Sequence, residues 1–297
     1  MKHVIITRFG LARLDEAFYR EHLRLCSLTL APSLRAQSSK KFIWAVAIDK
    51  RAPEWVDDAI RQLTPGIDVR IWRIDPLVDG LNPVDVEALE RIARGDAVIT
   101  SRVDDDDLLH RDFVRRTRSE LKDATGVVYL TYGDGLIISR RTTEKRRSPW
   151  IGLGLSCLSS APFEDQAYRY SHSRTGVEAA RDGHEVREIS TPEPMWIRTY
   201  RATSDSAEPY KGTRIRIGEA TSVDPRLFGL SKLGLWRLRR ALREAEAAPT
   251  RSGITRPKAQ PRLFMKSEIL RTIEALRMQE PEPKETIEAL AAALYSF

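Results

Sequence analysis

The first two hundred residues predict an α/β fold with a mainly parallel sheet and helices on both faces. Short apolar runs of strand type alternate there with segments of helical periodicity. The two clearest runs, HVIITRF (3–9) and FIWAVAID (42–49), are apolar almost throughout, as in strands that are buried on both faces. Because helical segments follow these runs, the chain can cross over the sheet and keep neighbouring strands parallel.

The remaining elements follow in chain order. Asp15 is a candidate cap for a first helix that carries Phe18, Leu23 and Leu25 on one side. Further strands are predicted at 68–74, 96–103, 126–132, 135–139, 185–190 and 195–200. Further helices are predicted at 53–63, 83–94, 110–123 and 173–183. The Arg-rich stretch 140–149 is expected to be a basic loop.

After residue 205 the pattern changes to helices joined by polar segments. Helices are predicted at 227–248, 262–278 and 284–297, with an exposed linker at 249–261. Residues 208–297 contain 17 Lys and Arg against 11 Asp and Glu, so they carry +6 of the net charge of +7. We therefore divide the chain into an α/β domain at 1–205 and a basic helical region at 206–297.

Composition is that of an ordinary soluble globular protein, with 41% hydrophobic and 31% charged residues. No apolar run reaches 18 residues, and Arg8 and Arg13 come too early for a signal peptide. A cytoplasmic protein is therefore expected. Cys26 and Cys157 are far apart and neither belongs to a CxxC motif, which is typical of reduced, buried thiols.

Four adjacent aspartates, Asp104 to Asp107, follow the predicted fourth strand in SRVDDDDLLH (101–110). In extended backbone their side chains alternate between two faces, so Asp104 and Asp106 would point one way. Such a run can be a hydrated loop or a helix cap, but an Asp-x-Asp pair also suits Mg²⁺ or Mn²⁺ that holds a diphosphate. Its position directly after a buried strand favours the metal site. Ligands bind at the carboxyl ends of parallel strands, where Thr7, Arg8 and Asp49 would also lie.

These segments together resemble the nucleotide-sugar half of A-type (GT-A fold) glycosyltransferases. The resemblance covers about residues 1–205 and rests on HVIITRF, FIWAVAID and SRVDDDDLLHRDF, where a DxD-like motif follows the fourth strand. The stretch LRLCSLTLAPSLRAQSSKKFIWAVAIDKRAP (23–53) is most similar to the bacterial rhamnosyltransferase family. The resemblance implies a GT-A-like sheet, a nucleotide-sugar donor and transfer of a sugar to a glycan or lipid-linked hydroxyl.

The resemblance also implies roles for residues at the strand ends. Thr7 and Arg8 would line the nucleotide pocket, and Asp49 would accept a hydrogen bond from the base. Asp104 would contact the ribose or assist the metal, with Asp106 as main ligand and Asp107 close by. Arg102 would offset diphosphate charge, or is simply a surface residue.

A general base and a third metal ligand are expected in the later segments. The Glu164-Asp165 pair resembles the acidic pair of inverting A-type enzymes, in which the Asp is the base; a surface turn is the alternative. Relatives often have a late histidine as a third metal ligand, but Tyr200-Arg201 stands at that position. His172 could replace it, or Arg201 could neutralise the diphosphate directly.

The predicted helix 227–248 has one broad apolar arc and a basic opposite face with Trp236. This pattern suits docking onto the α/β domain, or contact with the inner face of the cell membrane. The chain could alternatively be a sugar nucleotidyltransferase or another metal-dependent phosphoryl-transfer enzyme. Such an enzyme is expected to have a Gly-rich phosphate loop after the first strand. A nucleic-acid-binding protein is disfavoured because residues 1–207 are nearly neutral and their charge cluster is acidic.

Overall fold

The computed structural model describes residues 1–79, 83–139, 143–147, 153–171, 174–200, 224–247 and 284–296, together with Ile269 and Ile273. The strands are β1 (Lys2–Phe9), β2 (Ile43–Asp49), β3 (Asp68–Ile74), β4 (Val98–Arg102), β5 (Leu108–Leu109), β6 (Val128–Tyr132), β7 (Asp134–Ile138), β8 (Thr143–Arg147), β9 (Ser156–Ser159), β10 (Glu185–Ile189) and β11 (Trp196–Thr199). The helices are α1 (Glu16–Leu28), α2 (Leu30–Arg35), α3 (Trp55–Leu63), α4 (Pro76–Asp79), α5 (Val86–Ala93), α6 (Phe113–Leu121), α7 (Thr175–Arg181), α8 (Lys232–Ala247) and α9 (Lys284–Ser296).

The central sheet has seven strands in the order β10-β6-β9-β4-β1-β2-β3. All of its pairs are parallel except those of β9, which runs antiparallel between β4 and β6. One apolar cluster packs α1, α2, α3 and α6 against one face, and a second packs α5 against the other. The predicted α/β fold, with a mainly parallel sheet and helices on both faces, is confirmed.

A second sheet of four strands, in the order β5-β11-β7-β8, lies beside the central one. Its close packing is visible at Gly135, where an added Cβ would lie 2.0 Å from the ring of Trp196. The Trp196 indole donates to the carbonyl of Tyr132 over 2.8 Å, which links this sheet to the end of β6. Since β5 directly follows the four aspartates, its pairing in the second sheet holds the C-terminal end of that run in place.

Helix α8 packs its apolar side on the second sheet. Leu238 and Leu242 are buried there in a cluster with Leu136, Ile138 and Ile197. Arg239 donates to the hydroxyl of Thr143 over 2.8 Å, although the sequence places it on the basic face. The docking interpretation of this helix is therefore confirmed for the described residues.

Several predicted elements differ from the structure for local physical reasons. The predicted helix 227–248 is broken by Gly229, whose φ of +72° ends a short 3-10 helix at Pro225–Phe228 before α8 begins. The predicted basic loop at 140–149 contains strand β8, whose polar residues suit a sheet edge. The strands predicted at 126–132 and 135–139 are neighbours in sequence, but they form β6 and β7 of different sheets and not a hairpin.

The domain boundary at 205–206, the linker at 249–261 and most of the predicted helix at 262–278 lie outside the described residues, and the division of the chain into two parts stays a prediction. In the part that the structure describes, no helix combines the length and apolar content needed to span a bilayer.

Candidate functional site

Residues from three neighbouring strands meet at the carboxyl ends of β1, β2 and β4, an end of the sheet called the carboxyl edge. Strand β1 lies between β2 and β4 and is parallel to both, with Ile6 opposite Arg102 and Phe9 opposite Ile48. Asp49 at the end of β2 and the run Asp104–Asp107 after β4 therefore flank the loop that follows β1. This is the convergence that the strand pattern predicts.

Asp49 is fully buried and fixes the loop after β1. Its two carboxylate oxygens accept from the backbone N–H of Ala12 at 3.2 Å and of Arg51 at 2.9 Å. Burial raises the pKa of Asp49, while these N–H donors and the Arg51 guanidinium oppose the rise. One side chain thus links the turn after β1 to the turn after β2.

The four aspartates of the run alternate in exposure. Asp105 and Asp107 are buried, whereas Asp104 and Asp106 are partly exposed. The backbone turns here, because the N–H of Asp107 donates to the carbonyl of Asp104 over 3.3 Å. The alternation predicted for an extended segment therefore holds for burial, although the segment itself is a turn.

The two buried aspartates are held from opposite sides. The Asp105 carboxylate lies 2.5 Å from Nδ1 of His22 on α1, and its backbone carbonyl accepts from the Thr29 hydroxyl at 3.1 Å. The Asp107 carboxylate accepts from the N–H of Thr199 on β11 at 3.0 Å. These contacts orient the run so that Asp104 and Asp106 are its accessible members.

Repulsion within the run shows in the pKa of Asp107, which lies well above its usual value. Burial is the largest cause, followed by the negative charges of Asp106 and Asp104, and Arg198 opposes them. Three carboxylates therefore share one small volume. A cation between them would lower this repulsion and stabilise the ionised forms.

Positive charge lies beside the run. Arg102 is buried, and its guanidinium carbon lies 4.4 Å from the centre of the Tyr168 ring. The Tyr168 hydroxyl donates to the carbonyl of Ile6 over 3.3 Å, which anchors the ring over β1. Burial raises the pKa of Tyr168, Arg102 and Arg8 oppose the rise, and Asp104 adds to it, so all three charged groups lie close enough to affect the Tyr168 ring.

Tyr168 was missed by sequence reasoning. Its ring contacts Arg102, which is distant in sequence, because loop 160–171 returns across β1 and β4. Thr7, in contrast, is fully buried, and its hydroxyl accepts from the indole of Trp44 at 2.9 Å. The structure thus uses Thr7 between β1 and β2, while its predicted role in the nucleotide pocket stays a prediction.

Asp165 lies near the amino ends of the same strands, an end called the amino edge. Its backbone carbonyl accepts from the Ser159 hydroxyl at 2.6 Å, and Ser159 pairs with Val98, the first residue of β4. Tyr168, three residues further along the same loop, contacts Arg102 at the other end of β4. Loop 160–171 therefore extends along β4 from Asp165 to Arg102.

The Asp165 carboxylate is surrounded by donors. Its Oδ1 atom lies 3.1 Å from the Tyr129 hydroxyl, 3.1 Å from Nε2 of His184 and 3.3 Å from the Arg169 guanidinium. Glu164 beside it is exposed. The assignment of the pair as the catalytic base stays a prediction, and the donors around Asp165 give it a structural role as well.

The remaining predicted ligands, His172 and Arg201, lie outside the described residues. Within the described ranges, no group of three or more His, Cys, Asp or Glu side chains is placed to hold a metal ion. Asp104 and Asp106 nevertheless suit the way Mg²⁺ binds in nucleotide enzymes, through one or two carboxylates, waters and substrate phosphates. The donor set fits a metal that arrives with a diphosphate, not a preformed protein cage.

Comparison with solved structures gives distant matches. A "Putative Glucose-1-Phosphate Thymidylyltransferase" from Bacillus anthracis is 12% identical over 88% of this chain and 98% of its own, with a TM-score of 0.39. The inositol-1-phosphate CTP transferase of T. maritima is 11% identical over 84% and 98%, with a TM-score of 0.38. TarS of S. aureus is 12% identical over 99% and 54%, with a TM-score of 0.37.

The comparison with curated proteins finds no match. A protein-family model, in contrast, matches residues 12–213, about two thirds of the chain. The match includes Asp49, the Asp run and Tyr168. The chain therefore belongs to the family described as "Putative rhamnosyl transferase", a family of glycosyltransferases.

Proposed function

We propose that this protein transfers a sugar from a nucleotide-sugar donor to a hydroxyl group of a glycan or lipid-linked acceptor. Rhamnose is the first candidate for the sugar, because the family is named for it. The observation that carries the proposal is the meeting of Asp49, Arg102, Asp104 and Asp106 at the carboxyl edge of a chain from this family. Synthesis of a bacterial surface polysaccharide or glycoconjugate is the corresponding pathway.

On the donor side, Asp104 and Asp106 would hold Mg²⁺ or Mn²⁺, with Asp107 behind them. When bound, the ion would supply charge neutralisation for the departing diphosphate. Arg102 adds fixed positive charge beside the run, and its stacking on Tyr168 limits the motion of its side chain. Asp49 keeps the loops after β1 and β2 in place, where the base and ribose would bind.

On the acceptor side, a carboxylate must take the proton of the attacking hydroxyl if configuration inverts. Asp165 and Glu164 are our candidates. Both lie on loop 160–171, which contacts Arg102 beside the run through Tyr168. The candidates therefore need the donor sugar to extend from the run toward loop 160–171.

A thermal-shift panel tests the donor proposal most simply. UDP, GDP and dTDP are each added with and without Mn²⁺, and a saturating nucleotide should raise the unfolding temperature by about 5 °C only when Mn²⁺ is present. Asp106→Ala should abolish the shift. Asp123→Ala removes an exposed aspartate after α6 and should leave the shift intact. The proposal would be contradicted if a nucleotide raised the unfolding temperature equally with and without Mn²⁺, and equally in Asp106→Ala.

Contact with the inner face of the cell membrane is the second part of the proposal, and α8 would make it. Leu233 and Trp236 on its outer side are 53% and 50% exposed. Four exposed cations surround them: Lys232, Arg237, Arg240 and Arg243. The same helix therefore docks through its leucines and presents a basic surface with two apolar side chains, which suits anionic lipid.

Vesicle pelleting tests this surface. The double variant Leu233→Ser/Trp236→Ser should bind anionic vesicles about tenfold more weakly than the unchanged protein, because two partly buried apolar side chains are lost. Val177→Ser removes another exposed apolar residue, 77% exposed on α7, and serves as the matched control. Equal pelleting of all three proteins would remove membrane contact from the proposal.

A further inference from the structure

A histidine of α1 contacts the Asp run through Asp105. His22 lies 2.5 Å through Nδ1 from Oδ2 of Asp105, and the two side chains are 18% and 9% exposed. Eighty-three residues separate them in sequence, so the contact is a product of the fold. A buried carboxylate without a donor would cost free energy, which makes His22 the partner that allows Asp105 to stay inside.

The same helix also holds the loop after β1. The Tyr19 hydroxyl, one helical turn before His22, lies 2.7 Å from the carbonyl of Arg13 and 3.3 Å from that of Gly10. Residues three apart share one face of a helix, so Tyr19 and His22 act side by side. Helix α1 therefore contacts both the loop after β1 and the Asp run after β4.

The contact has a geometric consequence for the accessible aspartates. Asp105 stands between Asp104 and Asp106, and its own side chain is pulled toward α1. Asp107 is held on the other side by the Thr199 N–H. With alternate members anchored inward, Asp104 and Asp106 are the partly exposed members of the run.

We propose that His22 is a positioning residue for nucleotide-sugar binding, because it anchors Asp105 and thereby orients Asp104 and Asp106. The inference rests on the proposed function, since it assigns a role within that same site. We assign His22 no direct contact with the substrate. It acts through Asp105, so its loss should weaken donor binding more than it affects the acceptor.

Packing is the alternative role, because the His22 ring also stacks on Phe18 at 3.9 Å and meets Phe9 edge-on at 6.2 Å. Two variants separate the roles. His22→Phe keeps an aromatic ring against Phe18 but has no donor for Asp105. His22→Asn loses the ring but places an amide N–H near the position of Nδ1.

The experiment measures the Kd of the nucleoside diphosphate selected from UDP, GDP and dTDP, with Mn²⁺ present, for each full-length variant. His22→Phe should weaken binding about tenfold, the loss of roughly one charge-assisted hydrogen bond, and His22→Asn should restore most of it. In the transfer assay, His22→Phe should raise the KM for the donor and leave the KM for the acceptor unchanged.

The inference would be overturned if His22→Phe bound the nucleotide as tightly as the unchanged protein while His22→Asn bound it more weakly. That result would assign His22 to packing. Asp106→Ala serves as the reference for loss of the site. If the unchanged protein binds none of the nucleotides with Mn²⁺, the proposed function fails. If it binds and only the His22 variants behave contrary to expectation, the failure belongs to the positioning role alone.

Discussion

Carboxylates at the two ends of the central sheet have different surroundings. At the amino edge, Asp165 is surrounded by Tyr129, His184 and Arg169, each within 3.3 Å of one oxygen. At the carboxyl edge, the aspartates of the run lie beside one another, and their repulsion contributes to the raised pKa of Asp107. At the first end, donors of the protein converge on a single carboxylate. At the second, several carboxylates lie together, an arrangement that suits a cation brought by a ligand even though Arg102 and Arg198 lie nearby.

The comparison teaches how to separate structural from functional acids in this fold. A carboxylate that is stabilised by protein donors lowers the free energy of the folded state, and its removal should cost stability. A carboxylate that is held against like charges costs free energy in the absence of a cation. Its removal should cost binding far more than stability.

The largest effect is expected for Asp106→Asn, which removes one charge from the carboxyl edge. We expect kcat/KM for the nucleotide-sugar donor to fall by at least about 100-fold, since the variant loses a ligand for the metal that neutralises the diphosphate. The unfolding temperature should change far less than kcat/KM, because the substitution also relieves the repulsion between Asp106 and Asp107. A stability loss as large as the activity loss would contradict the distinction between the two ends.

The same substitution at the other end is the matched comparison. Asp165→Asn keeps one acceptor oxygen but loses the charge that His184 and Arg169 contact, so we expect a loss of about 2 kcal/mol in the free energy of unfolding by denaturant titration. If Asp165 is also the general base, kcat should fall by about 10²–10⁴ while donor binding is unchanged. An Asp165→Asn protein with unchanged stability would contradict the structural role.

A smaller, pH-dependent effect is expected from His3 near the amino end of β1. Burial, with a contribution from Arg118, lowers the pKa of His3 to about 3. Below about pH 6.5 the unfolded chain therefore binds a proton that the folded chain does not, so stability falls as the pH falls. At pH 5 the loss is about 2 kcal/mol relative to pH 7.5, at about 1.4 kcal/mol per pH unit.

His3→Gln isolates this contribution, because its amide can replace the 2.7 Å contact between Nε2 of His3 and the Ser101 hydroxyl. Burial lowers the pKa of His110 as well, so both proteins should lose stability in acid. Denaturant titrations at pH 7.5 and pH 5 should show the smaller loss for His3→Gln. Equal losses would mean that His3 does not titrate as its burial requires.

Most of the fold was predictable because the strands that build its centre are apolar runs. The segments 3–9, 42–49, 68–74 and 96–103 correspond to β1, β2, β3 and β4. Strand β9 was not predicted, since its four residues, SCLS, are too short and too mixed to show a period, yet it lies between β4 and β6. Strand β8 was missed because an edge strand can be entirely polar.

The site was predictable only where it depends on strand ends. The carboxyl-edge positions of Asp49 and the Asp run follow from the parallel sheet alone. The contact between His22 and Asp105 and that between Arg102 and Tyr168 join residues far apart in sequence, and neither leaves a local pattern. The location of Asp165 depends on the path of loop 160–171, which periodicity does not describe.

Sugar transfer itself is the most direct test of the central claim, that the Asp run binds the diphosphate of a nucleotide sugar together with a divalent cation. The full chain is incubated with UDP-, GDP- and dTDP-sugars, including dTDP-rhamnose, with Mn²⁺ or with EDTA, and release of the nucleoside diphosphate is measured. We predict release from one donor class that requires the metal and falls at least about 100-fold in Asp106→Asn. Release that is equally fast in EDTA and in that variant would contradict the claim.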